Sequence, residues 1–172
     1  MEDFLEKKTA FFKIYDELSP AIFRHCYFRV FDRERARELM QESFVKTWER
    51  IVAGDKIETP RAFLYRVANN LVIDESRKKK AVSLEAMQET GFDVGFDSRG
   101  KTEQVMEGKE IIKVVNALDP KYRDAVLLRY IEDLSPKEIS ELTGESENNV
   151  SVRLHRGIKQ LKEILENYGE QA

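Results

Sequence analysis

Apolar residues in this chain return every three or four positions, as in Ala36, Leu39, Met40, Phe44, Trp48 and Ile51, and sustained apolar–polar alternation is hard to find. That period belongs to helices packed along one face, so it predicts an all-α protein. Each proline follows a Ser, Thr or Asp, in the pairs Ser19–Pro20, Thr59–Pro60, Asp119–Pro120 and Ser135–Pro136. A capping side chain before proline starts a helix well, because the N–H that proline lacks has no helical partner at that position. All four prolines are therefore expected to begin helices.

The periodicity fails over residues 81–104, where three glycines and five acids (Glu85, Glu89, Asp93, Asp97, Glu103) accompany only Arg99 and Lys101. This stretch reads as a flexible acidic linker. It separates residues 1–80 from residues 105–172, so the expected architecture is two small helical domains joined by a flexible linker, the C-terminal one containing a helix-turn-helix. Drawn straight, a linker of this length reaches about 80 Å, against about 27 Å as a free coil. Two turns of DNA measure about 70 Å. Domains touching one duplex two turns apart would need a third component to hold the linker nearly straight.

The helix-turn-helix is read from SPKEISELTGESENNVSVRLHRGIKQLKEIL, residues 135–165. Ser135 and Glu138 have capping-box spacing, Gly144 suits the left-handed residue past a helix end, and Ser146 can cap the helix that follows. At 100° per residue, Val150, Leu154, Ile158, Leu161 and Leu165 fall on a side to be packed, opposite Asn148, Val152, His155, Arg156 and Lys159. Asn148 suits paired bonds with adenine, Arg156 guanine or phosphate, Lys159 phosphate, and Val152 a thymine methyl. A solvated helix face with one stray valine fits the same pattern. In the preceding helix Ala125, Val126, Leu128 and Ile131 close the core, with Arg123 and Arg129 as surface or salt-bridging residues.

The N-terminal block carries a second polar stripe, in TPRAFLYRVANNLVIDESRKKK. Leu64, Val67, Ala68, Leu71 and Val72 form its packed side, while Arg66, Asn70, Asp74 and Arg77 lie within about 80° of one another. Arg66 and Arg77 suit phosphates, and Asn70 offers a donor and an acceptor to a base edge. Asp74 repels phosphate, so its expected task is to orient Arg77 or Lys78 at helical spacing. The preceding residues 51–59 are expected to form a loop beside Asn70 in which an unpaired base can lodge. One helix earlier, Glu38, Gln41, Glu42, Val45 and Glu49 turn outward, acids around a bare valine that suit a basic protein surface. An ordinary charged exterior accounts for this acidic face equally well, and for the stripe taken alone, where the run Arg77 to Lys80 weighs against it.

Composition narrows the classes. The chain carries a formal charge of −3, yet residues 61–80 hold six Lys/Arg against Asp74 and Glu75, and Arg153, Arg156, Lys159 and Lys162 stand in residues 151–162 without an acid. Two basic islands in an acidic chain suit two local contacts with a polyanion. Cys26 is the one cysteine and His25 and His155 the two histidines, so no disulfide and no familiar zinc spacing can be assembled. Cys26 and His25 are helical neighbours that point apart, which makes Cys26 a packing residue rather than a thiolate. No metal, no cofactor and no catalytic set is expected. The charged start, MEDFLEKKTAFF, lacks the apolar core of a signal peptide and no run reaches membrane-spanning length, so a cytoplasmic protein without membrane insertion is expected. A helix-turn-helix regulator that binds duplex DNA by itself, and a helical nucleic-acid enzyme, stay open on these residues.

The order RERARELMQESFVKTW, PRAFLYRVANNLVIDESRKK, a linker, then ALDPKYRDAVLLRYIEDLSPKEISELTGESENNVSVRLHRGIKQL resembles the extracytoplasmic-function group of bacterial sigma factors. The resemblance implies a protein that binds core RNA polymerase, directs it to promoters and helps to melt them. By motif position, Asn70 and Arg66 would face the opened downstream element, with Asp74, Arg77 and Lys78 beside them and the loop before Pro60 helping to hold a flipped base. Asn148, Ser151, Val152, His155, Arg156 and Lys159 would face the duplex upstream element. The face from Glu38 to Glu49 would meet the polymerase clamp, the C-terminal domain the flap, and the linker would run through the RNA-exit path. The resemblance also admits an inhibitory anti-sigma factor as a partner. Ser151 and Val152 stand where relatives often carry a basic and a small polar residue, which gives this reading helix less charge.

Overall fold

The computed structural model describes residues 1–89 and 104–169, without the side chains of residues 2, 82–89, 104–109 and 168–169. The described residues form helices α1 (Glu2–Val30), α2 (Arg33–Val52), α3 (Pro60–Glu89), α4 (Gln104–Ala117), α5 (Pro120–Tyr130), α6 (Pro136–Thr143) and α7 (Glu147–Gly169), with no strand among them. They fall into two compact units, Met1–Gly91 and Phe92–Ala172.

In the first unit α1, α2 and α3 pack on one another around Ile22, Cys26, Leu39, Phe44, Leu64, Tyr65 and Ala68. Helix α1 corrects one expectation: Pro20 lies inside it rather than at its start. Proline in a helix interior forfeits one backbone bond, at about 3 kcal/mol or more. Leu18 before it and Ile22 after it are both buried, while Pro20 itself is exposed. Packing of both flanks keeps the helix continuous where local chemistry favours a break. It ends at Phe31, which takes the left-handed conformation, φ 53°, and donates its N–H to the Tyr27 carbonyl. Asp32 then caps α2 by accepting from the Arg35 N–H at 2.9 Å.

The buried face of α2 includes two hydroxyls, Ser43 and Thr47, which donate to the carbonyls of Leu39 and Ser43 and so carry no unmet polar group into the core. Cys26 is fully buried, as its packing role requires. Helix α3 continues to Glu89, nine residues into the stretch expected as linker. Gln104, the last residue of that stretch, opens α4, and residues 90–103 lie outside the described residues.

The second unit is built on caps that were visible in the sequence. The Asp119 side chain accepts from the Lys121 N–H at the start of α5, and Ser135 and Glu138 form a complete capping box on α6. Gly144 closes α6 at φ 75°, and Ser146 accepts from the Asn149 N–H. Arg123 donates to the carbonyls of Asn116 and Leu118, tying α5 to the end of α4, and Arg129 pairs with Asp133. The core gathers Val115, Leu118, the run Ala125–Leu128, Leu134, Ile139, Val150 and Leu154.

Along α7 the packed stripe departs from the expected one at its far end, where Leu165 is exposed. Fifteen residues at 100° carry Leu165 about 60° round from Val150, whereas Gly157, Leu161 and Ile164 stay nearer the seam. Gly157 is buried, and a Cβ there would meet Val126 Cγ2 at 2.5 Å and Tyr122 Cβ at 3.2 Å. Its missing side chain lets α7 approach α5.

Candidate functional site

Each unit presents one helix whose apolar side is buried and whose Asn- and Arg-bearing side is bare. On α7 Asn148, Ser151, Val152, His155, Arg156 and Lys159 are all exposed, while Val150, Leu154 and Gly157 face the core. Val152 keeps 41% of its surface in water, so its methyl groups are available to an apolar partner. Lys121 and Tyr122, at the start of α5, lie beside Asn149, Val152, Arg153 and Arg156 around a shallow depression.

The charges on α7 are not equivalent. Arg153 is held by Glu145 at 2.8 Å, a residue of the turn between α6 and α7. Among the described residues Arg156 and Lys159 enter no ion pair. The Arg153 pair neutralises one cation of the basic island and braces the turn, whereas the charges of Arg156 and Lys159 stay unneutralised at the surface.

On α3 Arg66, Asn70, Asp74, Arg77 and Lys78 are exposed, and Leu64, Ala68 and Val72 are buried beneath them. No ion pair joins Asp74 to Arg77 or Lys78 among the described residues. The acid that structures this end of α3 is its neighbour Glu75, one position round the helix and largely covered. Arg35 donates to Glu75 at 2.7 Å and to Glu38 at 2.6 Å, fixing α2 to α3. That hydrogen bond from Arg35 holds the Glu75 carboxyl below the usual carboxylate range against its burial, with Lys79 and Lys78 adding to the effect. No local pattern announces this tie, since its partners stand 40 positions apart.

The loop before α3 occupies residues 53–59, with Gly54 at φ 94° and an ion pair between Arg50 and Asp55 at 3.1 Å. Residues 51 and 52, expected in the loop, complete α2. Asn70 stands about 15 Å along α3 from Pro60 at 1.5 Å per residue, so one base can touch both only where the loop folds back along the helix.

Glu38, Gln41, Val45 and Glu49 are exposed on α2, and Glu42 is half-buried. Glu38 is engaged by Arg35, and Glu42 lies 3.7 Å from Lys46. Val45 is 55% exposed in their midst. It borders an apolar groove between α1 and α2, whose lining comes from two helices and so leaves no mark in either one's periodicity.

Residues 14–82 match the family described as Sigma-70 region 2, and residues 108–161 the family described as Sigma-70, region 4. The chain is 32% identical over 152 residues to the RNA polymerase sigma-E factor of Streptomyces avermitilis, covering 86% of this chain and 80% of that one. It is 28% identical over 168 residues to the ECF RNA polymerase sigma factor SigW of Bacillus subtilis, covering 92% and 90%. Among solved structures, the sigma factor RpoE of Bartonella quintana, in complex with the anti-sigma factor NepR, superposes with a TM-score of 0.74 at 18% identity, over 91% of this chain and 97% of that one. CnrH, in complex with the cytosolic domain of CnrY, gives 0.72 at 19% identity, over 93% and 90%. At those identities the two structures speak for the fold.

Proposed function

Because the chain belongs to the extracytoplasmic-function group of the sigma-70 family and is an RNA polymerase sigma factor, we propose that its two bare helix faces divide promoter recognition between them. The division assigns strand opening to the unit of α1–α3, duplex reading to the unit of α4–α7, and their tether to the residues between Glu89 and Gln104.

Arg66 and Arg77, with Lys78, hold phosphates of the downstream element, while Asn70 bonds an exposed base edge of the opened strand. Opening a base pair costs a few kcal/mol, and stacking of a captured base returns about 1 to 3 kcal/mol. A few captured bases therefore offset the opening. On the duplex side α7 enters the major groove of the upstream element, where Asn148, Ser151, Val152, His155 and Arg156 meet base edges and Lys159 a phosphate. Core polymerase docks on Glu38, Gln41, Glu42, Val45 and Glu49, and supplies the frame that sets the spacing between the two contacts. The chain works in the cytoplasm, leaves all bond-making to the polymerase, and is held inactive by an anti-sigma factor.

What carries the reading is the pairing of the two matched regions with two exposed Asn- and Arg-bearing faces, each opposite a buried apolar one. A duplex-only regulator has no use for the face on α3. The test reconstitutes the full chain with core polymerase on a promoter carrying a fluorescent base in the downstream element. Asn70→Ala should lower the open-complex signal at least tenfold while leaving closed-complex affinity within about threefold, since Asn70 touches only unpaired bases. Equal losses in both would remove Asn70 from the melting set.

A further inference from the structure

The first three turns of α1 precede residue 14, where the match to Sigma-70 region 2 begins, and most of their side chains are exposed. Leu5 and Phe12 keep 55% and 53% of their surface in water, and a shallow hollow there is lined by Leu5, Glu6, Thr9, Ala10 and Lys13, all of α1. At 100° per residue, Leu5 and Phe12 stand about 40° to 60° to one side of Thr9, and Glu6 and Lys13 about as far to the other. Thr9 donates its hydroxyl to the Leu5 carbonyl at 2.9 Å, so its polar atom is spent on the helix and its exposed side chain offers chiefly a methyl group. Glu6 and Lys13 enter no ion pair among the described residues, whereas Lys7 is held by Asp3 at 2.9 Å. The face is therefore a small centre with two large apolar groups along one flank and two opposite, unspent charges along the other.

We propose that this face pairs with the same face of a second copy of the chain, the two α1 helices running antiparallel about a two-fold axis beside Thr9. At 1.5 Å per residue Glu6 lies about 4.5 Å before Thr9 and Lys13 about 6 Å after it, so reversing the second helix brings its Lys13 level with Glu6 to within about 1.5 Å. Leu5 and the Phe12 of the second copy come level by the same arithmetic. A two-fold axis lying across both helices sets each flank against its own counterpart, as in any isologous interface. Glu6 then meets Lys13 twice along one flank, and Leu5 meets Phe12 twice along the other. Thr9 and Ala10, small at the crossing, let the two backbones approach toward the lower end of the range of about 8–10 Å for packed helices. Charge order commits the face to this occupant. A partner helix must present a cation opposite Glu6 and an acid opposite Lys13, beside an apolar flank of the same spacing, and an antiparallel copy does so by symmetry. Three turns of helix bury less than the about 1,600 Å² of a standard interface, so the pair is weak, with a Kd of about 10–100 µM.

The test is sedimentation equilibrium of the full chain from about 1 to 500 µM, which brackets that Kd. Glu6→Lys and Lys13→Glu should each weaken pairing at least tenfold, since each sets like charges against one another twice. Leu5→Ala should weaken it about tenfold through the apolar flank. Helical circular dichroism should be unchanged in all three, because the side chains already face water. The deciding measurement mixes the Glu6→Lys chain with the Lys13→Glu chain. At a two-fold antiparallel interface the two cations of the first face the two acids of the second, so the mixture should pair within about threefold of the native affinity although neither chain pairs with itself. A native chain that stays monomeric across the range overturns the proposal. So does a dimer that neither charge reversal weakens, whose interface then lies elsewhere, and so does a mixture that stays monomeric.

Discussion

His25 is the residue whose burial has the most measurable consequence. Its side chain is wholly covered, stacked edge-on to Tyr65 at 5.2 Å, and neither ring nitrogen has a hydrogen-bond partner among the described residues. Burial pushes its pKa well below the ordinary value, and the nearby Arg29 charge pushes it further. In the unfolded chain the same ring takes up a proton near pH 6.5. Between that pH and the lowered folded value the unfolded state binds more protons, so stability rises with pH there. The His25 contribution is complete above about pH 6.5 and is lost as pH falls below it, with a slope approaching about 1.4 kcal/mol per pH unit. Urea midpoints between pH 7.5 and pH 5 should fall in the native chain and fall less steeply in His25→Phe, which keeps a ring against Tyr65. Equal slopes in the two proteins would show that His25 titrates normally.

At the scale of elements, α1 carries a proline that the fold tolerates rather than uses. Pro20 is exposed, so replacing it loses little packing, and alanine restores the bond to the carbonyl four residues back. Pro20→Ala should stabilise the first unit by about 2 kcal/mol, the helix-interior cost less the unfolded-state entropy that proline removes. Chemical denaturation measures this, and a loss of stability would mean that a bend at Pro20 is needed to seat Leu18 and Ile22. The same residue shows where sequence reasoning succeeds and stops. Ser135 and Glu138 announce a helix start through bonds spanning three residues, all of them written locally, and the structure contains both. Ser19–Pro20 carries the Ser–Pro part of that signal without an acid three residues on, and the outcome there is decided by what Leu18 and Ile22 bury against, which no short window contains. The bare faces of α3 and α7 were legible because periodicity alone separates packed from exposed sides. The Arg35–Glu75 tie, the close approach at Gly157 and the groove beneath Phe12 were not, since each depends on residues brought together from separate helices.

For the whole molecule, a net charge of −3 makes the placement of a few free cations decisive for binding a polyanion. Affinity for DNA falls with salt in proportion to the phosphates neutralised, by about 0.9 in the log–log slope for each duplex contact. Only cations not already spent inside the protein enter that count. Lys159 is unpaired among the described residues, whereas Arg153, one cation of the same basic island, is bound to Glu145. With the chain assembled on core polymerase and promoter affinity followed across salt concentrations, Lys159→Ala should flatten the slope by about 0.9 and weaken all promoter sequences alike. Arg156→Ala should in addition lose discrimination at one upstream base pair, by about 1 to 3 kcal/mol. Arg153→Ala should leave slope and discrimination unchanged and reveal itself only as a thermal destabilisation of less than about 1 kcal/mol, since its pair is partly exposed and screened. A slope change for Arg153→Ala as large as that for Lys159→Ala would mean that the Glu145 pair opens on DNA and that the reading face extends further round α7 than its free cations mark out.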